Sequence, residues 1–335
     1  MTDLLLVSLG TTRGLRLSDA QLVEMLGDAG ASVEAVSTRI GLTNALRRGY
    51  PVNDFVEAIA ARRALVLSST TVALLIGDPG VPFAVWLDSP ARLNRPGVLN
   101  APLHWLERRQ LARARVLMPH SPGTVVALPP GAAPSVLVPP PVPEAPPPAD
   151  ARERFAVGYT PDPKAKGLAL LCAAWAQAAL PGVRLLIAGI PPERARAFLS
   201  RRGLALPEDV ELVGMLPQPA FRDLLARAHA FVSAAEWEDF GIAPLEALDR
   251  GALLVAASAG GPFPALELAR SLGPEFVAAD RTAGSLAGAL QAAFAAPEDR
   301  LSAYRVAARA ELGPYRPDAS VARLRADVLP ALLGA

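Results

Sequence analysis

The stretch Ala230-Phe231-Val232-Ser233-Ala234-Ala235-Glu236-Trp237-Glu238-Asp239-Phe240-Gly241-Ile242-Ala243-Pro244-Leu245-Glu246-Ala247-Leu248 carries the decisive pattern of this 335-residue chain. Ala230 to Ser233 is a short apolar run of the kind buried in a parallel sheet, and Pro244 and Gly251 are suited to start and stop the helix that follows. A strand-to-helix turn of this sort lies where open α/β sheets bind ligands. Gly241 lets a ligand approach the main chain closely, and the N–H groups of Gly241, Ile242 and Ala243 are donors at the positive end of a helix, which suits a phosphate. Ala243 is the expected cap, with Glu238 in the loop and Glu246 in the first helical turn.

The spacing Glu238-x7-Glu246 within EDFGIAPLEAL resembles the donor-site signature of the retaining glycosyltransferases of family 4, and the segment Gly251 to Ala256 through Gly260-Gly261, a strand followed by a glycine pair, is similar to the usual continuation. The resemblance implies the GT-B architecture: two Rossmann-like parallel-sheet α/β domains facing each other across a cleft. It also implies that Glu246 holds the ribose hydroxyls of a nucleotide sugar and that Glu238 faces the hydroxyls of the transferred sugar. Phe240, with Gly241 to Ala243, falls inside the same donor-binding stretch. A carboxylate accepting two hydroxyls suits a vicinal diol, each charge-assisted bond contributing roughly 1.5 to 3 kcal/mol.

Working outward, ten of the 34 prolines fall between Pro129 and Pro148, a stiff extended segment that no helix or sheet interior accepts. It divides the chain into an N-terminal domain at 1–138, a linker at 139–150 and a C-terminal nucleotide-sugar domain at 151–316. A last helix at 317–335 is expected to cross back onto the first domain, as in relatives.

Beyond the linker, Phe155 to Gly158 reads as a strand that runs into Pro161-Asp162-Pro163-Lys164-Ala165-Lys166-Gly167. Lys164 and Lys166 are the two lysines among 33 basic residues, so a chain that otherwise uses arginine keeps compact ammonium groups in this loop. The family pattern places an arginine just after the strand glycine and a lysine before a glycine, together clamping the diphosphate. Lys166-Gly167 fits the second half; Tyr159 stands where the arginine is expected, and Lys164 is a candidate to supply the missing charge. Met215, in the corner Gly214 to Pro217, lies where the family sets the nucleotide base. The loop Ser258 to Pro264 is a further candidate to turn N–H groups toward phosphate or sugar.

In the first domain, Leu4 to Leu9 is the expected first strand, running into a loop Gly10 to Gly14 and a helix from Asp19 capped by Ser18. Arg13 and Gly14 are the donor-phosphate candidates there, with solvation as the alternative for Arg13. This loop is not GxGxxG, so dinucleotide binding is unsupported. Further strands are expected at Val33 to Ser37, Ala64 to Ser68 and Phe83 to Leu87. The last of these ends at Asp88-Ser89-Pro90, where many relatives carry a histidine on the acceptor side. Asp88 either orients an acceptor hydroxyl or caps the following turn. His120 either touches a ligand or is structural.

Composition narrows the function classes. A net charge of +1 argues against a general nucleic-acid binder. Cys172 lies in an apolar helical pattern, the three histidines show no ligand spacing, and no Asp-x-Asp motif occurs, so neither a disulfide nor a metal site is expected. No cofactor is implied beyond the nucleotide-diphosphate sugar. Mean hydropathy is +0.29, yet no apolar run reaches the roughly 20 residues of a spanning helix and the start lacks a signal peptide, which points to the cytoplasm. The arginine-rich helix Leu103 to Ala114 is either a solvated face or a surface resting on anionic lipid.

The expected activity is transfer of a hexose from the donor to a glycan, lipid-linked or small-molecule acceptor, with retention and without a metal, catalysed by Lys166, Glu238 and Asp88. The rivals are an epimerase or phosphorylase on the same architecture, and a silent relative that binds a nucleotide sugar or a partner enzyme.

Overall fold

The computed structural model describes residues 3–9, 13–37, 64–146 and 152–334. They form two compact units, one of residues 1–141 with 314–335, the other of residues 142–313. Each is a five-stranded, wholly parallel sheet flanked by helices. Loop residues Gly10 to Thr12 lie outside the described residues.

In the first unit the strands are β1 (Leu4–Ser8), β2 (Val33–Ser37), β3 (Ala64–Leu67), β4 (Phe83–Leu87) and β5 (Val116–Pro119), ordered β2-β1-β3-β4-β5. Most of these strands are continuous apolar runs because helices cover both faces of the sheet. Alternation along each strand sorts the core into two layers. Leu4, Leu6, Val66 and Trp86 face Leu22, Met25 and Leu26 of the helix Arg13–Asp28, and residues 324–332 of the chain's end pack into that same layer. Leu5, Val7, Leu65 and Val85 face Val72 and Leu111 on the other side.

The helix after β1 begins at Arg13 rather than Asp19. Ser18 is therefore not a cap, and Arg13 and Gly14 open the helix instead of ending a loop. Asp19 is turned inward, where its carboxylate accepts from the Ser8 hydroxyl at the end of β1, and burial raises its pKa.

The second unit consists of β6 (Glu153–Tyr159), β7 (Arg184–Ala188), β8 (Val210–Gly214), β9 (Ala228–Ser233) and β10 (Leu253–Ala256), ordered β10-β9-β6-β7-β8. The chain runs outward from β6 to β8, then returns to the other side of β6 with β9. The strand order reverses between β6 and β9, which lie side by side with Val157 opposite Phe231 and Gly158 opposite Val232. The base of this seam is pinned by Arg152, whose guanidinium donates to the carbonyls of Leu225, Ala226, Ala228 and Arg250. Phe276 to Ala278, although apolar enough for a strand, is instead a 3-10 turn, Pro274–Phe276, followed by a single bridge between Val277 and Ala256. Pro274 explains the difference, since it presets the turn and brings no N–H to a ladder.

His120 follows β5 with its ring tilted at 53° to that of Trp86, the centroids 4.4 Å apart, and burial pushes its pKa down to about 3. The folded state keeps this imidazole neutral, whereas the unfolded chain takes a proton near 6.5, so stability is present above that pH and falls as pH drops toward 3. One such group contributes a slope of at most roughly 1.4 kcal/mol per pH unit. Thermal unfolding followed from pH 7 to pH 4 is expected to show a shallower loss of Tm in His120→Gln than in the native protein.

Candidate active site

The carboxyl ends of β6 and β9 meet at the point of reversal, where doubly wound sheets take their ligands. Two loops leave from it, residues 160–167 after β6 and residues 234–241 after β9. The lysine loop is folded by its own acid. Asp162 Oδ1 accepts the N–H groups of Lys164 and Ala165, each at 2.9 Å, and the Asp162 carbonyl accepts Lys166 N–H at 2.9 Å. These bonds hold the Asp162 carboxyl below its ordinary pKa, the Ala165 N–H most of all, with Arg194 and Lys164 adding charge.

Gly167 closes this loop with φ +67°, and a Cβ there would lie 2.0 Å from the carbonyl oxygen of Ala234. Glycine is thus required on two grounds, the left-handed backbone and the approach of the second loop. Glu236 N–H donates to the Ala165 carbonyl at 3.0 Å across the same contact. The two loops form one platform, on which Lys166 Nζ lies 2.6 Å from Glu238 Oε2, the side chains 24% and 16% exposed.

A third segment supports Glu238 from behind. Glu238 N–H donates to Gly260 O and Gly260 N–H to Glu236 O, both at 3.0 Å. The Trp237 ring covers Gly260, its Nε1–H bonded to Asp239 Oδ1 at 2.8 Å. A Cβ on Gly261 would fall 2.3 Å from the Glu238 carbonyl. The glycine pair therefore serves loop-to-loop packing, and the expectation that this loop turns its N–H groups to a phosphate fails at Gly260. Arg281 completes the arrangement by donating to the carbonyls of Ala234, Ala235 and Ser258.

The helix Ile242–Asp249 is capped by Gly241 in the left-handed region, not by Ala243. The Phe263 ring and the Glu238 Cγ fill the space a side chain at 241 would need, at 2.6 and 3.1 Å from its Cβ. Glu238 therefore folds back over the helix start, which brings Lys166, Glu238 and the first-turn N–H groups of Ile242 and Ala243 to one corner. Those N–H groups have no acceptor within the helix.

Glu246 lies in the second turn, because the helix starts two residues earlier than the expected cap allowed. Its side chain is buried against Arg222, whose Nε and Nη2 donate to Oε1 at 2.9 and 2.6 Å. Phe240 is buried and contributes a core ring, whereas Met215 is half exposed after β8 and Lys164 is exposed. Tyr159 rests its ring on Gly189, where a Cβ would meet it at 2.5 Å, and 5.2 Å from the ring of Phe221. An apolar stack thus occupies the position where the resemblance expects arginine.

Asp88, Arg13 and Gly14 belong to the first unit. Asp88 Oδ1 accepts Ser89 N–H at 2.7 Å, and its carbonyl accepts the Thr124 hydroxyl, so the loop after β4 is firmly anchored. Glu107 adds to this by accepting Ala91 N–H with both oxygens at 2.9 Å. Sequence reasoning missed Arg222, Asp162 and Arg281. The Asp-Pro turn preceding two lysines is a legible signal for Asp162, but the two arginines act across long sequence separations and carry none.

Residues 149–309 match the family described as Glycosyl transferases group 1, which takes in almost all of the second unit. A segment of 81 residues is 35% identical to a phosphatidylinositol N-acetylglucosaminyltransferase subunit of Arabidopsis thaliana, covering 24% of this chain and 18% of that protein. The chain thus spans under a fifth of the length of that relative. Among solved structures, sucrose-phosphate synthase from Thermosynechococcus elongatus superposes with a TM-score of 0.74 at 19% identity over 97% of each chain. A glycosyltransferase from Rickettsia africae gives 0.73 at 14% identity over 99% of each. The two Rossmann-like units match GT-B structures, and the family match falls within the second of them.

Gly182, with φ +71° and open space around it, provides a control for the loop contact. Gly182→Ala is expected to cost about 1 kcal/mol of backbone strain. Gly167→Ala, which adds the clash with Ala234, should cost more than about 3 kcal/mol and lower Tm by a correspondingly larger amount in the same melt.

Proposed function

We propose that this protein is a retaining, family-4-type hexosyltransferase that takes its donor as a nucleotide-diphosphate sugar and uses no metal. The observation that carries the reading is the Lys166–Glu238 pair at 2.6 Å over the first turn of the helix Ile242–Asp249. An ammonium and helix N–H groups converge where a diphosphate can sit, with a carboxylate in reach of a sugar hydroxyl. On binding, the diphosphate takes over Lys166 and releases Glu238 to accept from the sugar.

The bond from the anomeric carbon to the diphosphate oxygen then breaks, and the acceptor oxygen bonds to the same face of that carbon. The acceptor proton passes to the leaving phosphate oxygen. Charge grows on the diphosphate during this step, so fixed positive groups stabilise the transition state more than the bound donor. Lys164 adds to that field in this proposal. Glu246 receives the ribose diol, the corner at Met215 the base, and Asp88 orients the acceptor hydroxyl.

We propose that the protein works in the cytoplasm, with the inner face of a membrane as a surface it can rest on. No described helix is long and apolar enough to cross one. The helix Ala101–Arg113 and its lead-in nonetheless expose Leu99 at 94% and Trp105 at 59% beside Arg108 and Arg109, a combination that suits an anionic lipid surface.

One observation favours a second reading. The Tyr159 stack leaves the diphosphate clamp one cation short, as expected of a relative that binds a nucleotide sugar without turning it over. Calorimetric titration with a panel of nucleotide sugars, followed by transfer assays with the tightest, separates the two: turnover supports the enzyme, and tight binding without turnover on any acceptor supports the silent form. In the same titration Glu246→Ala is expected to weaken donor binding by roughly ten- to a hundredfold. Lys166→Ala should weaken it at least as much and Lys164→Ala less.

A further inference from the structure

Arg222 grips Glu246 in an unusual way. A guanidinium facing a carboxylate commonly engages both oxygens in parallel, yet here Nε at 2.9 Å and Nη2 at 2.6 Å converge on Oε1. An oxygen of a carboxylate has two lone-pair directions, so this one is filled while Oε2 stays outside the grip. The acid is almost wholly buried, its side chain 6% exposed, and a charge at that depth depends on its partner for orientation. Behind it, Arg250 donates to the Glu246 carbonyl at 3.2 Å, and the Arg250 N–H donates to the same carbonyl at 3.2 Å, which holds the backbone of this turn.

Arg222 itself is placed by packing. It follows Phe221, whose ring lies 5.2 Å from that of Tyr159, on the helix Gln218–Arg227 that leaves the corner after β8. Its planar fork, unlike an ammonium, fixes the carboxylate in direction as well as in charge.

We propose that Arg222 is a positioning residue for ribose recognition: by occupying Oε1 of Glu246, it aims Oε2 at the vicinal diol of the donor nucleoside. Selectivity for ribose over deoxyribose then depends on a side chain that does not itself touch the nucleotide. This rests on the donor-site reading given above.

The probes are UDP, GDP and ADP, with the tightest binder compared against its 2′-deoxy and 2′,3′-dideoxy counterparts by calorimetry. The native protein is expected to prefer the ribose form by about tenfold or more, the loss of a charge-assisted bond. Glu246→Gln should reduce that preference. Arg222→Met should bring it to within about twofold while the dideoxy affinity stays nearly constant, a pattern that general loosening of the fold does not produce. Arg222→Lys should keep an intermediate preference. If Arg222→Met does not fold, Arg222→Lys carries the test, and a full native preference in it overturns the inference. A lost preference in Glu246→Gln with an intact one in Arg222→Met overturns the inference alone. Absence of binding of any of the three nucleotides to the native protein overturns the donor-site reading, and this inference with it.

Discussion

At the seam between β6 and β9 two backbones come closer than any side chain permits, Gly167 lying against the carbonyl of Ala234. From that contact follow the hydrogen bond from Glu236 to Ala165 and the short distance from Lys166 to Glu238. A parallel sheet with reversed strand order opens its loops away from each other at this point, which makes room for a ligand. Here the glycine draws the two loops together at their base while leaving the Lys166 and Glu238 side chains partly open to solvent. The positive helix end, the ammonium and the carboxylate are thereby fixed before a ligand arrives, and preorganised charge of this kind does the most for reactions that transfer charge to a leaving group.

The supporting layer is made of arginines acting on carbonyls. Arg152 gathers four at the base of the second sheet, and Arg281 gathers three beneath the loop after β9. A guanidinium with five donors in a rigid fork can join several chain segments where an ammonium would join fewer with less directional control. This gives a physical use for a composition in which arginine almost completely replaces lysine. The two lysines that remain lie in one loop, where, in the function proposed above, a compact charge changes partners from carboxylate to phosphate.

Much of the architecture was legible because it rests on local signals. Continuous apolar runs such as Leu4 to Ser8 and Ala230 to Ser233 become strands covered on both faces, and Pro244 does fall in a first helical turn. The error at the cap came from taking Pro244 as the first helical residue, whereas Gly241 caps two residues earlier by backbone conformation, in a space already filled by Phe263. The helix after β1 was placed too late for a related reason: Asp19 serves the Ser8 hydroxyl across the fold and not the helix it was expected to start. Lys166 and Glu238 were identified from motif and composition, but they are 72 residues apart and meet because β6 and β9 are neighbours. Arg222 and Arg281 were invisible for the same reason, since nothing near them in sequence marks a partner 24 or 46 residues away.

The most direct measurement is an experimental structure of the protein with a bound nucleoside diphosphate. The account predicts the terminal phosphate within hydrogen-bond reach of Lys166 Nζ and of the Ile242 and Ala243 N–H groups, with Glu238 released from the lysine. A diphosphate seated elsewhere, with Lys166 still held by Glu238, would contradict it.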